Sequence, residues 1–176
     1  EQPYPTGNIY LKATIKNNEA SKDVVPSVPL TVVVEKELLL LNEDVVLTEE
    51  TNPIVFNICK EQGWATYDTV MTKAEADAIV NIGTVFSGVK SDEGWSFDEF
   101  MYFTNVKLTS LSNSAFENSD ITSIVLPQNI TSIGKNAFAN CSKLKNIELN
   151  NNISTIPEGC FLNCSNLANF NLPDSI

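Results

Sequence analysis

The C-terminal part of the chain repeats itself at a step of 22–23 residues, and that step limits the folds open to it. Leu108-Thr-Ser-Leu111, Ile130-Thr-Ser-Ile133 and Ile153-Ser-Thr-Ile156 stand in register. A small residue and a phenylalanine follow each at one fixed offset: Ala115-Phe116, Ala137-Phe138 and Cys160-Phe161. Another small residue comes three positions later, as Ser119, Cys141 and Cys164. An apolar triplet closes each unit: Ile121/Ile124/Leu126, Leu144/Ile147/Leu149 and Leu167/Phe170/Leu172. Pro127 and Pro173 follow two of these triplets directly. The last two apolar residues of each triplet alternate, as a short strand with one buried face requires. One such strand cannot bury itself, so the units must stack side by side into a parallel sheet over a continuous core. Stacking turns equivalent positions into ladders of like residues, which explains Cys141 and Cys164 as one position in successive units.

The pattern I-T-S-I-G-x-x-A-F-x-x-C-x-x-L-x-x-I-x-L, clearest in Ile130–Leu149, resembles the BspA-like leucine-rich repeat family of bacterial surface proteins. The unit from Ile153 departs from it with Pro157 in place of Gly134 and Cys160 in place of Ala, and the unit from Leu108 has Ser119 where the cysteine stands. Ahead of the repeats, three stretches are similar to the leader that precedes such repeats in gut Bacteroidetes proteins. They are Ile58-Cys59-Lys60-Glu61-Gln62-Gly63-Trp64, Thr72-Lys73-Ala74-Glu75-Ala76 and Phe97-Asp98-Glu99-Phe100-Met101-Tyr102-Phe103.

The expected fold is an α/β solenoid. It comprises a short leucine-rich repeat array over 108–176, a helical N-terminal cap over 53–107, and a small β-rich region over 1–52. Local signals mark the cap as helical. Asn52-Pro53 offers an N-cap and a proline at the first helical position, with Gly63 as the stop. Thr72-x-x-Glu75 and Ser96-x-x-Glu99 read as capping boxes. Trp64, Phe86, Trp95, Phe97, Phe100, Tyr102 and Phe103 supply apolar mass either to cover the first repeat or to form a ligand-binding aromatic patch. In the first 52 residues, Asn8–Lys16, Leu30–Val34, Leu38–Leu41 and Val45–Leu47 read as strands. Ile176 would open a fourth unit, so the chain reads as a leader, a cap and three turns of a longer array.

Composition narrows the chemistry. The chain has 22 acidic residues and 11 lysines, with neither Arg nor His, for a net charge of −11. Such a surface repels phosphate, against nucleic acid and anionic membranes as partners. Histidine triads, histidine-containing zinc sites and bidentate arginine clamps are excluded. Residues 1–107 hold 17 acids and 8 lysines, whereas 108–176 hold 5 and 3, so the acidity belongs to the N-terminal part. The cysteines Cys59, Cys141, Cys160 and Cys164 read as small buried residues rather than a zinc ribbon or a disulfide framework. Adjacent acids at Glu49-Glu50, Asp92-Glu93 and Asp98-Glu99 do not form a convincing acid/base pair, because neighbours in sequence point apart. Four N-x-S/T sequons, at Asn129, Asn140, Asn152 and Asn163, fall out of the repeat pattern.

Leaders of this type often carry a calcium-loop-like stretch, here Ala65–Glu75. It is one residue short of an EF-hand loop, with Ala65 and Thr69 where Asp and Gly are wanted, so Asp68 and Glu75 alone remain as ligand types. No metal, cofactor or catalytic residue is assigned.

The candidate ligand-binding residues are the side chains that a strand of this pattern turns outward: Ser123, Val125, Asn146, Glu148, Asn169 and Asn171. They make a small polar face, suited to hydrogen bonding or merely solvated. The resemblance implies a non-enzymatic, exported bacterial surface protein, lipid-anchored before processing, that adheres to protein or glycan ligands on host or neighbouring cells. The alternatives are a structural spacer or anchor in a longer surface protein, and an accessory glycan binder in a saccharide-uptake system. An open last repeat would offer an edge for a homodimer.

Overall fold

A computed structural model describes residues 45–168, 170 and 172–176, and Asp44–Ile176 forms one compact unit. The strands expected at Asn8–Lys16, Leu30–Val34 and Leu38–Leu41 lie outside the described residues. In chain order come strand β1 (Val45–Thr48), helix α1 (Pro53–Glu61), strand β2 (Val70–Thr72), helix α2 (Lys73–Ala78), strand β3 (Trp95–Phe97), a 3-10 helix (Asp98–Tyr102), and strands β4 (Ile121–Val125) and β5 (Asn146–Glu148). β1 and β2 pair antiparallel, and β3-β4-β5 form a parallel sheet.

The parallel sheet has the register that the repeat demands. Ser123 sits opposite Asn146, Ile124 opposite Ile147 and Val125 opposite Glu148. On its other side β4 meets β3, with Ile121 opposite Trp95, Ser123 opposite Ser96 and Ile124 opposite Phe97. A second strip of parallel contact runs through Ser110 and Ser132, where Leu111 N–H donates to Ser132 O at 3.1 Å and Thr131 N–H to Thr109 O at 2.8 Å.

A third strip lies on the side of the turns. Asn118 N–H donates to Ala139 O (2.8 Å) and Asn140 N–H to Leu162 O (2.7 Å), a repeated bond from each unit to the next. Gly88 N–H makes the same bond to Glu117 O at 2.8 Å. The repeat geometry thus starts one unit earlier than Leu108, with Phe86, Gly88 and Val89 at the positions of Phe116, Asn118 and Ser119. The signal was present as Ile79-x-x-Ile82 followed by Val85-Phe86, but the long loop before Trp95 breaks the spacing.

Helices occur only ahead of the repeats among the described residues; the repeats themselves return through turns, which corrects the α/β expectation for the array. The physical reason is local. Each return segment carries two left-handed residues, Ser114 and Asn118 in one unit, Asn136 and Asn140 in the next, Gly159 and Asn163 in the third, all with φ between 57° and 70°. Left-handed backbone interrupts a helix, and Asn and Gly bear it at least cost. Gly134 is required for a different reason: a Cβ there would meet Ser112 C at 2.4 Å, so its backbone can approach the preceding unit only without a side chain.

The core is a column of aromatic rings. Phe116 and Phe138 stack with centroids 5.1 Å apart and planes 2° from parallel. Phe138 and Phe161 follow at 5.6 Å, and Phe86 lies on the other side of Phe116 at 5.5 Å. Phe86, Phe97, Phe100 and Phe103 are fully buried with Val55, Phe56 and Cys59 from α1, and Trp95 is buried beside them. These aromatics therefore fill the core at the start of the array, with Trp64 half-buried and Tyr102 exposed.

The capping signals resolve unevenly. Asn52 Oδ1 accepts from Val55 N–H at 3.4 Å, and α1 gives way at Gln62 to a left-handed Gly63. Thr72 and Glu75 form both bonds of their capping box. The second box does not form: Ser96 lies in β3, and Glu99 instead accepts from Asn52 Nδ2 at 3.0 Å. Asn52 Nδ2 also donates to Ser96 O at 2.9 Å, so one asparagine ties α1 to β3 and the 3-10 helix.

Removing the middle ring of the column should be severe. Phe138→Ala is expected to cost about 3–5 kcal/mol by urea titration, while Leu162→Ala, whose side chain is exposed, should stay within about 0.5 kcal/mol. Equal losses would show that the column does not carry the core.

Candidate functional site

The outward face of the parallel sheet is built by register. Ile121, Ile124 and Ile147 point into the core, so the alternating residues Ser123, Val125, Asn146 and Glu148 point out. The pairing sets them in two rows. Ser96, Ser123 and Asn146 form one; Val125 and Glu148 belong to the other. Asp98, the residue after Phe97, opens the 3-10 helix beside the face. Ser123 Oγ donates to Asp98 Oδ2 at 3.0 Å, which fixes that carboxylate at the rim of the face. Asn146, Glu148 and Asp98 are exposed, while Ser96, Ser123 and Val125 are half-buried. Asn169 and Asn171 lie outside the described residues. Sequence reasoning missed Ser96 and Asp98, because β3 belongs to the divergent first unit.

The opposite side of each unit holds two asparagine ladders. Asn163 Nδ2 donates to Asn140 Oδ1 (2.7 Å), and Asn140 Nδ2 to Asn118 Oδ1 (3.0 Å). At the corner between units, Asn129 Nδ2 lies within hydrogen-bonding distance of the Phe103, Asn105 and Leu108 carbonyls, and Asn150 Nδ2 of those of Pro127 and Ile130. Asn152 Nδ2 donates to Gln128 O at 2.7 Å. All four sequon asparagines are thus engaged in contacts between units. Asn140 and Asn163 occupy the same left-handed turn position in successive units, in keeping with sequons that arise from the repeat itself.

The thiols belong to the same scaffold. Cys141 Sγ donates to Phe116 O and Cys164 Sγ to Phe138 O, each at 3.0 Å. Burial pushes the Cys59 and Cys160 thiols up to about 12 and Cys164 to about 11, and raises Cys141 as well. The calcium-loop residues have protein partners too. Glu75 Oε1 accepts from Thr66 N–H (2.8 Å) and hydroxyl (2.5 Å), and its Oε2 from Thr72 N–H (2.8 Å) and hydroxyl (3.0 Å). Asp68 pairs with Lys60 at 3.3 Å. Both oxygens of Glu75 are thereby turned to bracing the loop.

Two aspartates hold the first units together. Asp120, largely buried, lies 3.0 Å from Lys90 Nζ and 3.1 Å from Lys143 Nζ and accepts from Ser91 N–H. Burial alone would raise its carboxyl, but the hydrogen bonds from Lys90, Lys143 and Ser91 outweigh that and hold it below the usual range. Asp77 is likewise held low: the desolvation that raises it is outweighed by Lys73 and Thr104.

The BspA type leucine rich repeat region (6 copies) matches residues 87–176, just over half of the chain. The chain belongs to the BspA-type leucine-rich repeat family. The match begins at residue 87, so it takes in the divergent unit that carries β3, and most of the leader segment lies ahead of it. A BspA-type repeat of this kind is a protein-interaction or surface-binding module. Repeats of this family are typically non-enzymatic, and its proteins are usually found at the surface or outside the cell. No curated protein and no solved structure matches the chain. Among the described residues, no helix is long and apolar enough to cross a membrane.

Two outcomes are expected. Both aspartates have a folded-state pKa below the unfolded one, so their stabilisation is present above the ordinary aspartate value of about 3.9 and is lost as pH falls below it. Urea midpoints should therefore drop on acidification, and Asp120→Asn should start lower and flatten that drop; an unchanged acid limb would contradict the role given to Asp120. With thiol pKa values this high, the native protein at mildly alkaline pH should react slowly with a disulfide reagent, Cys164 first, and unfolding should release all four thiols of the sequence. Rapid labelling of Cys59 in the folded protein would contradict its burial.

Proposed function

We propose that this chain is a non-enzymatic binding module of an exported bacterial surface protein, and that the outward sheet face contacts a protein or glycan partner. The observation that carries this reading is the row Ser96–Ser123–Asn146, hydrogen-bonding side chains brought level by the pairing of three parallel strands from three units. Val125 and Glu148 lie beside that row, and Asn169 and Asn171 stand in the sequence of the next unit where Asn146 and Glu148 stand in this one. Residues 53–107 serve as the cap of the array, burying Phe86, Trp95 and Phe97 against the first unit. A surface held at this many main-chain points loses little conformational freedom on binding, which favours affinity from a small contact.

The test is a binding screen of the full-length chain against extracellular matrix proteins and neutral glycans. A ligand should be found, and its binding should fall about tenfold or more in the double variant Ser123→Ala/Asn146→Ala, since two hydrogen-bonding contacts are removed. Glu158→Gln, on the turn side, should leave binding unchanged. A ligand indifferent to the double variant would move the site off the sheet face.

A further inference from the structure

The third unit turns away from the second a face that repeats the surface each earlier unit gives to its successor. On the turn side the first unit donates three times to the second: Ser114 N–H to Lys135 O (3.0 Å), Phe116 N–H to Ala137 O (2.7 Å) and Asn118 N–H to Ala139 O (2.8 Å). The second repeats the set to the third, from Asn136, Phe138 and Asn140 to the carbonyls of Glu158, Cys160 and Leu162 at 3.3, 2.9 and 2.7 Å. In the third unit the N–H groups of Gly159, Phe161 and Asn163 stand at the same positions, and among the described residues no carbonyl receives them. Asn163 Nδ2 has Asn140 Oδ1 as its acceptor, and its own Oδ1 is the next acceptor of that ladder.

The apolar positions agree. Phe116, Phe138, Cys141 and Leu144 are fully buried, whereas their counterparts Phe161, Cys164 and Leu167 are half-buried. Leu162 and Leu172 are exposed beside them. What the face lacks is therefore polar and apolar at once, in the arrangement of the two unit contacts that precede it. Water can satisfy the three donors while they are exposed, but an apolar ring half out of the core forgoes part of its burial.

We infer that this face docks one further unit of the same repeat, laid on with the same polarity. Such a unit brings carbonyls at three alternate residues of a turn, a phenylalanine for Phe161 and an asparagine amide for Asn163 Oδ1. An extended peptide does not suit the strip, because its carbonyls follow a straight strand, whereas Gly159 and Asn163 hold left-handed backbone with φ of 70° and 59°. A second copy of the chain does not suit it either. Turned end to end, that copy presents the same three N–H groups rather than carbonyls. The other end of its array is covered, with Phe86 fully buried in one cluster with Val55 and Phe56 of α1. None of these residues lies on the sheet face, so this contact stands apart from the binding proposed there.

The test extends the full chain past Ile176 with a second copy of residues 154–176, which keeps the step from Ile153 to Ile176. Within the copy, Cys160→Ala and Cys164→Ser follow Ala115 and Ser119 of the first unit, so that only the original thiols report. Docking should raise the urea midpoint and slow the labelling of the original Cys164 by a disulfide reagent about tenfold or more, read by peptide mapping, as that thiol passes from half-buried towards the full burial of Cys141. A control extension that also carries Phe161→Asp in the copy should leave the midpoint in place and the labelling rate within about twofold of the unextended chain. Unchanged labelling of Cys164 in the first extension overturns the inference, and so does equal protection by the control. Sedimentation of the unextended chain should show a monomer whose Cys164 labels at one rate at every concentration. Protection that grows with concentration would assign the face to a second copy and overturn the inference as well. Circular dichroism of each chain separates a lost contact from a lost fold.

Discussion

Each unit is held by its neighbour's main chain, and the other features of the array follow from that bond. The bond is made on three strips: in the sheet, along the Ser110–Ser132 contact, and on the turn side. All three strips must advance together from one unit to the next. An extra residue on one path has to be absorbed without shifting the others. The step from 22 to 23 residues enters between the turn and the strand, where Ser142 and Lys143 separate Cys141 from Leu144 but Asp120 alone separates Ser119 from Ile121; the corner asparagines Asn129 and Asn150 also stand at different distances from the apolar residues that follow, Ile130 and Ile153. Asparagine suits that corner because its amide reaches carbonyls of the unit before, whatever the local spacing.

The same constraint sorts residue types. Where units approach backbone to backbone, a side chain has no room, hence Gly134 against Ser112. Where the return path must bend, left-handed residues appear, and asparagine both bears the strain and donates its amide to the asparagine before it. Where rings stack, phenylalanine recurs, because a nearly parallel column keeps the spacing that the strands already set. Small polarizable thiols fit beneath those rings and still find a carbonyl.

How much of this was legible depended on whether the signal was apolar and periodic. The ladders of Leu, Ile, Phe and Cys were read directly, and with them the parallel strands at Ile121–Val125 and Asn146–Glu148. The capping box at Thr72 was legible because it is local in sequence. Its counterpart at Ser96 was not, because Glu99 is claimed by Asn52, a residue 47 positions away. The turns that replace helices were hidden as well: the signal is a left-handed asparagine or glycine, and polar residues were not aligned. The unit containing β3 escaped because its loop before Trp95 breaks the step, although Gly88 keeps its place in the turn-side ladder.

The candidate face shows the same division in sharper form. Ser123, Val125, Asn146 and Glu148 could be placed outward from alternation alone. What alternation cannot supply is the neighbour across the strand. Asp98 stands 25 residues before Ser123 in the chain, in a unit that the pattern does not reveal, yet its carboxylate accepts from the Ser123 hydroxyl at the face. The chemical character of the face is therefore a property of stacking rather than of any one repeat. Of the three lysines in the repeats, Lys143 and Lys135 are turned to Asp120 and Glu158 and Lys145 is exposed beside Asn146, while the carboxylate added by the divergent unit is held by Ser123. Strand register, rather than the charge count of any one repeat, decides which side chains meet on the outward side.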